Sequence, residues 1–241
     1  MTQKTGMERW IKAMDATWAP ANIVARPPWT FRQGAGGGKR VSAATTNQTV
    51  TAADVENAEE TMTAMDQKPL FLLSDVNGAL DDLLADRGYH VVDPVLVLTA
   101  PCSEIAKVNP EPLKAIPGDE PLAIMREIWA RGGIGAARID VMRRTKGPKT
   151  YLFSRHQIDK PGGCAFVAVD GDIAMVHALE VVPDARRSGV GQNLLGRAAI
   201  WGMEQGAKTL ALVTTGENLP AQKLFTGLGM QVVDNYHYRT Q

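Results

Sequence analysis

The segment Leu179-Glu180-Val181-Val182-Pro183-Asp184-Ala185-Arg186-Arg187-Ser188-Gly189-Val190-Gly191 begins apolar and ends rich in glycine. This order predicts a strand followed by a loop that opens a helix. Gly189 and Gly191 remove side chains where a ligand must approach the backbone, and the free N–H groups of the first helical turn point to the same place. Arg186 and Arg187 add positive charge. The spacing Arg-x-x-Gly-x-Gly therefore predicts an anion site suited to a diphosphate.

Taken alone, this segment also fits a plain strand-to-helix turn with solvated arginines. Two familiar nucleotide sites are excluded. A dinucleotide fingerprint needs a third glycine where Leu194 stands. The glycine-rich run Gly34–Lys39 imitates a phosphate loop, but Gln33 replaces its first glycine and Arg40 replaces the Ser or Thr that binds magnesium.

A second segment further along runs Asn218-Leu219-Pro220-Ala221-Gln222-Lys223-Leu224-Phe225-Thr226-Gly227-Leu228-Gly229-Met230. Pro220 suits a first helical turn, Gly229 ends the helix, and Asn218 caps it or points its amide at a ligand. One helical face carries four apolar residues, Ala221, Leu224, Phe225 and Leu228. By itself this is a capped amphipathic helix.

Together the two segments resemble the signatures of the GNAT superfamily of acyl-CoA N-acyltransferases, Arg/Gln-x-x-Gly-x-Gly/Ala and Asn-x-x-Ala-x-x-x-Tyr/Phe-x-x-x-Gly-Phe/Met. The resemblance covers the second half of the chain. It implies an α+β fold in which helices flank a mixed, mostly antiparallel central sheet. It also implies acetyl-CoA as the cosubstrate.

The resemblance assigns a cofactor site. In such folds the strand with Leu179–Val181 splays away from the strand Thr209–Thr214, and the pantetheine arm lies between them like an added strand. The loop would bind the diphosphate through backbone N–H groups, and Asn218 would reach the arm. The implied cofactor-binding residues are Leu179, Glu180, Val181, Arg186, Arg187, Ser188, Gly189, Val190, Gly191, Gln192, Asn218 and Phe225.

His177 is the candidate general base, because strand alternation puts it on the same face as Leu179 and Val181. The run Met175-Val176-His177-Ala178-Leu179 resembles His-Leu-His-Ala-Leu of some arylalkylamine acetyltransferases and keeps one of the two histidines. A lone histidine on a strand also fits a structural role. Glu180 points to the opposite face, so a catalytic role for it would require a bulge in the strand.

The departing thiolate needs a proton source. The family's usual donor is a tyrosine in the second segment, where this chain has Phe225. Either Tyr236, Tyr238 or water supplies the proton, or the thiolate leaves unassisted, or the site binds acyl-CoA without efficient turnover. Tyr236 is the candidate retained beside His177.

The amino-acid composition limits the classes of partner that the protein could bind. The 26 basic and 26 acidic residues leave no net charge, so no global field attracts nucleic acid or membrane. The apolar runs are too short to span a bilayer. Two unpaired cysteines and four scattered histidines predict neither a disulfide framework nor a metal site. We expect a cytoplasmic protein, monomeric or homodimeric, that binds acetyl-CoA and an amine.

The chain is expected to be a tandem form of the family. Residues 1–102 would be a smaller, degenerate GNAT-like domain and residues 103–241 the complete one, since residues 70–99 repeat the strand, helix and strand order of the C-terminal end. The first half has no glycine loop that opens a long helix, so it should bind no CoA of its own. It would cover the acceptor pocket and bring Trp18, Trp29 or Phe31 near the substrate, unless these aromatics are core residues.

A smaller expectation concerns the start of the chain, where Trp29–Arg32 and Val41–Ala44 are predicted to pair as a hairpin. The leading functional hypothesis is an N-acetyltransferase that moves the acetyl group of acetyl-CoA to an amine of a small molecule or peptide by direct attack. The alternative is a non-catalytic acetyl-CoA-binding module or sensor.

Overall fold

The protein is described by a computed structural model over residues 6–157 and 159–241. Its strands are β1 (Asn22–Arg26), β2 (Trp29–Gln33), β3 (Leu70–Leu73), β4 (His90–Pro101), β5 (Ala115–Gly118), β6 (Lys149–Gln157), β7 (Lys160–Asp170), β8 (Ile173–Val181), β9 (Thr209–Thr215) and β10 (Gln231–Thr240). Its helices are α1 (Gly6–Thr17), α2 (Ala52–Ala64), α3 (Gly78–Asp86), α4 (Cys102–Ile105), α5 (Ala123–Arg131), α6 (Ala136–Arg144), α7 (Val190–Glu204) and α8 (Leu219–Gly227).

Eight strands form one sheet in the order β3-β10-β4-β9-β8-β7-β6-β5. Every neighbouring pair is antiparallel except β8 with β9, which are parallel. β1 and β2 form a separate hairpin. The predicted α+β class, with a mixed and mostly antiparallel sheet between helices, is confirmed.

Helices cover both faces of the sheet because both faces are apolar. α7 packs over β6, β7 and β8 on one face, where the core includes Leu194, Leu195 and Phe225. α1 and α5 pack on the other face, where Trp10 and Trp129 are buried. The candidate functional site lies between these two helix layers, where β8 and β9 separate from each other.

The two halves of the chain share this sheet. β4 lies between β9 and β10, so a strand from the first half is inserted among strands of the second. The units β3-α3-β4 and β9-α8-β10 have the same order, and the second strand of each pairs with the first strand of the other. The division between residues 102 and 103 falls inside α4, just after β4, and stays a prediction.

The predicted hairpin of Trp29–Arg32 with Val41–Ala44 is wrong. β2 pairs instead with β1 across the two-residue Pro27-Pro28 turn, because so near a partner is reached with little loss of chain entropy. Lys39–Val41 forms a 3₁₀ turn. Beyond it, Thr45 makes an isolated antiparallel bridge to Thr30, and Ala44 makes an isolated parallel bridge to Phe71. Sequence patterning also missed α6, whose arginines dilute a buried stripe of Ile139, Val141 and Met142.

Within the described ranges, no helix combines the length and apolarity needed to cross a membrane.

Candidate active site

A cleft opens between β8 and β9. The two strands pair in parallel from Ile173 with Thr209 as far as Val176 with Leu212, and beyond this point they separate. The cleft has a volume of about 1070 Å³. The expected splaying of these strands is therefore confirmed.

The cleft is lined by almost all the residues that the sequence assigned to the cofactor. Ser188 is the exception, and its hydroxyl donates to the Ala185 carbonyl at 2.7 Å. His177 also lines the cleft, whereas Tyr236 does not. The lining residues from the predicted set are Leu179, Glu180, Val181, Arg186, Arg187, Gly189, Val190, Gly191, Gln192, Asn218 and Phe225.

The glycine loop has the geometry of an anion-binding turn. Gly189 has φ +85°, which a side chain would strain, and α7 begins at the next residue. A Cβ on Gly191 would lie 2.7 Å from Leu224 Cδ2, so this glycine lets α8 approach the loop. Arg186 and Arg187 are exposed beside the first turn of α7. The free N–H groups of that turn and two guanidinium groups thus meet at one end of the cleft.

The opposite wall begins with the cap of α8. Asn218 Oδ1 accepts a hydrogen bond from the Ala221 backbone N–H at 3.3 Å, and Pro220 lies in the first turn. The predicted capping role is confirmed. Phe225 faces the cleft from this helix and is otherwise buried. It has no proton to offer a thiolate.

A β-bulge interrupts β8 at the cleft. Phe166 of β7 is opposite His177, but Cys164, two residues earlier, is opposite Glu180, three residues later. Ala178 takes φ +51° within the bulge, and the Trp129 indole Nε1 donates to its carbonyl oxygen at 2.8 Å. The bulge is thus fixed by a buried side chain from α5.

The bulge reverses the alternation of β8, so the prediction that His177 shares a face with Leu179 and Val181 is wrong. Leu179 and Val181 pack with the core beneath α7, whereas His177 stacks near Trp18 on the other face, with ring centroids 5.2 Å apart. Glu180 falls on the His177 side, because it is opposite Cys164 in the α5 core. A bulge adds one residue, and every later side chain then changes face.

His177 is enclosed by hydrogen bonds. Its Nδ1 lies 3.0 Å from Arg40 Nη1, and its Nε2 lies 2.9 Å from Thr17 Oγ1, whose hydroxyl donates to the Ala13 carbonyl at 2.6 Å. A guanidinium can only donate, so we assign Nδ1 as the acceptor and place the ring proton on Nε2. Burial, reinforced by the charge of Arg40, holds the pKa of His177 well below its ordinary value.

This environment does not suit a general base. The Nδ1 lone pair that would take a proton already accepts a hydrogen bond from Arg40, and the charge of Arg40 disfavours the imidazolium form. The hypothesis that His177 is the catalytic base is therefore replaced by a structural role for this neutral ring. The position of His177 on the strand suggested catalysis. Its hydrogen-bond partners, however, are Thr17 and Arg40, which are far away in sequence and leave no local signal.

The neutral state of His177 predicts an acid-sensitive fold. The folded pKa is depressed, so the unfolded chain binds the proton first and the free energy of unfolding should fall as pH drops below about 6.5. We expect His177→Asn to reduce this slope over the range between about pH 6.5 and 5. Chemical denaturation at several pH values measures it, with His156→Asn, on the partly exposed end of β6, as the control. An unchanged slope in His177→Asn would contradict the assignment.

Tyr236 lies away from the cleft. It is buried against α1, with its hydroxyl 3.8 Å from Met14 Sδ, and Tyr238 lies beside it in the same core. The prediction of Tyr236 as a proton donor to the thiolate is wrong, since β4 separates β10 from the cleft strand β9. Burial also raises the pKa of Tyr238 well above its ordinary value.

Glu180 is the carboxylate inside the cleft. It is half-buried, and burial raises its pKa, partly opposed by the charge of Arg186. A carboxyl group with a raised pKa is a stronger base than an ordinary glutamate when ionised. The sequence made its role conditional on a bulge, and that bulge is present.

The first half reaches the cleft through Arg40, which sequence reasoning treated only as a departure from a phosphate loop. Arg40 follows the glycine run in the 3₁₀ turn and lines the cleft beside His177. Trp18 is adjacent, with its ring 5.8 Å from Arg40 Cζ. Trp29 and Phe31 belong to the core beside α2 and β3, and Trp18 is buried in the core beside α5 and does not line the cleft. The alternative of core aromatics therefore holds for all three.

In the ranges that the structure covers, no cluster of three or more His, Cys, Asp or Glu side chains has an arrangement that could hold a metal ion.

Residues 124–230 match the model of the acetyltransferase (GNAT) family. No curated protein matches the sequence. Among solved structures, the fold is similar to a GCN5-related N-acetyltransferase from Kribbella flavida (17% identity, 99% of this chain and 96% of that chain, TM-score 0.71). It is also similar to a functionally unknown conserved protein from Staphylococcus epidermidis (9% identity, 93% and 95% covered, TM-score 0.70).

A third similar structure is a tandem GNAT protein from the clavulanic acid biosynthesis pathway (14% identity, 83% of this chain and 74% of that chain, TM-score 0.62). At these identities the structures show the fold. The family match covers the strands, the glycine loop and the helix α8 that enclose the cleft. Residues 124–230 thus match the GNAT acetyltransferase family, and the fold of the chain is similar to that of solved GNAT proteins.

Proposed function

We propose that the protein is an acetyl-CoA-dependent N-acetyltransferase that acts on an amine of a small molecule or peptide. The observation that carries the proposal is the cleft between β8 and β9, whose mouth is the glycine loop before α7. An extended ligand with an apolar arm and a diphosphate matches both the unpaired strand edges and the anion-binding loop.

The cofactor would lie along the cleft. Its diphosphate would bind the backbone N–H groups that follow Arg187 and the guanidinium groups at the mouth. Its pantetheine arm would hydrogen-bond to the backbone of Leu179 and Val181 on the unpaired part of β8. The thioester would then reach the apex of the cleft, where Val176 and Leu212 are the last paired residues.

Direct attack by the amine needs a base and a leaving group. The amine nitrogen forms the new bond to the thioester carbonyl carbon, and the carbon–sulfur bond breaks. Glu180 is our candidate to accept the proton that the amine loses, since it lines the cleft and lies on the same face of β8 as His177. The CoA thiolate would take its proton from water, because Phe225 cannot supply one.

A non-catalytic acyl-CoA-binding module is the second candidate. Phe225 in the position of the usual tyrosine favours it, as does the structural role of His177. Both candidates require acetyl-CoA binding, and they differ in turnover.

Calorimetric titration with acetyl-CoA, followed by a thiol-release assay with amines, amino acids, polyamines and peptides, tests the proposal. We expect binding and turnover of at least one acceptor class. Gly189→Val should raise the Kd for acetyl-CoA at least about tenfold, because a β-branched residue at positive φ distorts the loop. Gly171→Val is the matched control, since Gly171 also has positive φ but lies in the β7–β8 turn outside the cleft.

Binding without turnover would leave the module as the function. Absence of binding by the wild-type protein would contradict both candidates.

A further inference from the structure

Arg40 is the cation that the N-terminal half contributes to the cleft. Among the described lining residues it is the one that precedes β8 in the chain. Its side chain passes over Trp18 and reaches His177 Nδ1 with Nη1. Because His177 follows Val176 at the apex, Arg40 lies at the end of the cleft opposite the anion-binding loop.

The charge of Arg40 has no partner of opposite sign in residues 6–157 and 159–241. Its described hydrogen bond goes to a neutral imidazole, and its Nε is buried without a hydrogen-bond partner. Asp93, which like Arg40 lies near Tyr238, is ion-paired with Lys39 at 2.7 Å. A half-buried cation without a counterion costs free energy, and a ligand anion would offset this cost.

The hydrogen bond to His177 also orients the guanidinium. The Trp18 ring on one side and His177 at Nη1 restrict the side chain, so little rotamer entropy remains to be lost on binding. Such a preorganised planar group suits a carboxylate, which it can bind through two parallel hydrogen bonds. The loop cations Arg186 and Arg187 are at the mouth and remain available for the diphosphate.

We propose that Arg40 binds a substrate carboxylate at the reacting end of the cleft, so that the preferred acceptors are amines that carry a carboxylate, such as amino acids. This inference rests on the proposed function and deepens it. Arg40 contacts His177, and Glu180 lies on the same face of β8 as His177, so the cleft offers a cation for the carboxylate and a base for the amine. A carboxylate at the end of the acyl chain would satisfy the same cation, and the experiment separates these two sources.

The test compares amines that differ only in a carboxylate. Acetylation of L-phenylalanine, L-tyrosine and L-lysine is measured against 2-phenylethylamine, tyramine and cadaverine. The wild-type protein should favour at least one carboxylated member. Arg40→Gln, which removes the charge but keeps a polar amide, should lower kcat/KM for that member about ten- to a hundredfold and change its decarboxylated partner by less than about threefold. Arg40→Lys should retain part of the preference.

Lys39→Gln is the matched control, because Lys39 is the adjacent cation but is exposed and outside the cleft. A second arm replaces acetyl-CoA with succinyl-CoA and uses amines without a carboxylate. A preference for succinyl-CoA that disappears in Arg40→Gln would assign the carboxylate to the acyl group and overturn the acceptor class.

If Arg40→Gln lowers kcat/KM equally for the carboxylated and the decarboxylated amine of each pair, the inference is overturned while the proposed transferase activity stands. If no amine is acetylated, the proposed function fails, and the Arg40 site is decided by calorimetry of the CoA complex. Arg40-dependent binding of N-acetyl-L-phenylalanine but not of N-acetyl-2-phenylethylamine would support a carboxylate site. Equal binding of the two probes, or binding of neither, would overturn it.

Discussion

Trp129→Ala is expected to lower the free energy of unfolding by about 3–5 kcal/mol, because it leaves a large cavity in a fully buried core. The indole packs against Tyr151, with ring centroids 6.3 Å apart, in the core between α5 and the sheet. It also donates the hydrogen bond that holds the Ala178 carbonyl in the bulge. Urea or thermal denaturation measures the loss.

Trp129→Phe separates packing from the hydrogen bond. It keeps an aromatic ring in the core but removes the donor to Ala178, so we expect a smaller loss of about 1–3 kcal/mol. Since the bulge sets the direction of Glu180, kcat should also fall, with little change in the Kd for acetyl-CoA. Trp201→Phe, in a half-buried position on α7, is the control. A full retention of kcat in Trp129→Phe would show that the hydrogen bond does not position the catalytic strand.

Glu180→Gln is expected to lower kcat by about 10²–10⁴-fold, which is the usual contribution of a general base. The Kd for acetyl-CoA should stay within about twofold, because the amide is nearly isosteric and the cofactor is expected to contact the backbone here. Steady-state kinetics and calorimetry measure the two effects. Asp184→Asn is the matched control, since Asp184 is an exposed carboxylate in the adjacent loop and does not line the cleft.

The pH profile supplies an independent check on Glu180. The base works when ionised, so kcat/KM should rise with pH as the carboxyl loses its proton. Burial raises the pKa of Glu180, so this rise should occur above the pH at which an ordinary glutamate ionises. The Glu180→Gln variant should lack this rise. Turnover by Glu180→Gln within about threefold of the wild type would remove Glu180 from the mechanism.

Much of the fold was accessible from local sequence patterns. α2 begins at a capping box formed by Thr51 and Asp54, and α7 begins directly after Gly189, as the glycine loop predicts. β8 ends at Val181, inside the segment that is predicted to pass from strand to loop. These features depend on neighbours a few residues apart, so the sequence carries their signal directly.

The cofactor side of the candidate site was accessible for the same reason. A glycine at positive φ, a helix start and a capping asparagine are each recognised within one short segment. Their meeting in one cleft follows from the parallel pairing of β8 with β9, which the family resemblance supplied. The glycine loop and the α8 wall were therefore predicted from local segments, and all of the predicted residues except Ser188 line the cleft.

The acceptor side was decided by tertiary structure. The bulge at Ala178 depends on Trp129 from another helix, and it reversed the expected faces of His177 and Glu180. Tyr236 lies away from the cleft because β4 is inserted between β9 and β10. No local sequence pattern indicates which strand lies between two others.

By itself, the sequence determined the family signatures, the secondary structure around them and the glycine loop before α7. Tertiary structure alone decided that His177 is a buried neutral ring, that Glu180 lines the cleft on the same face of β8 as His177, and that Arg40 lines the cleft beside His177. The physical reason is distance along the chain. Helix caps and turns are stabilised by adjacent residues, whereas the protonation state and direction of these side chains are set by partners from distant segments that only the folded sheet brings together.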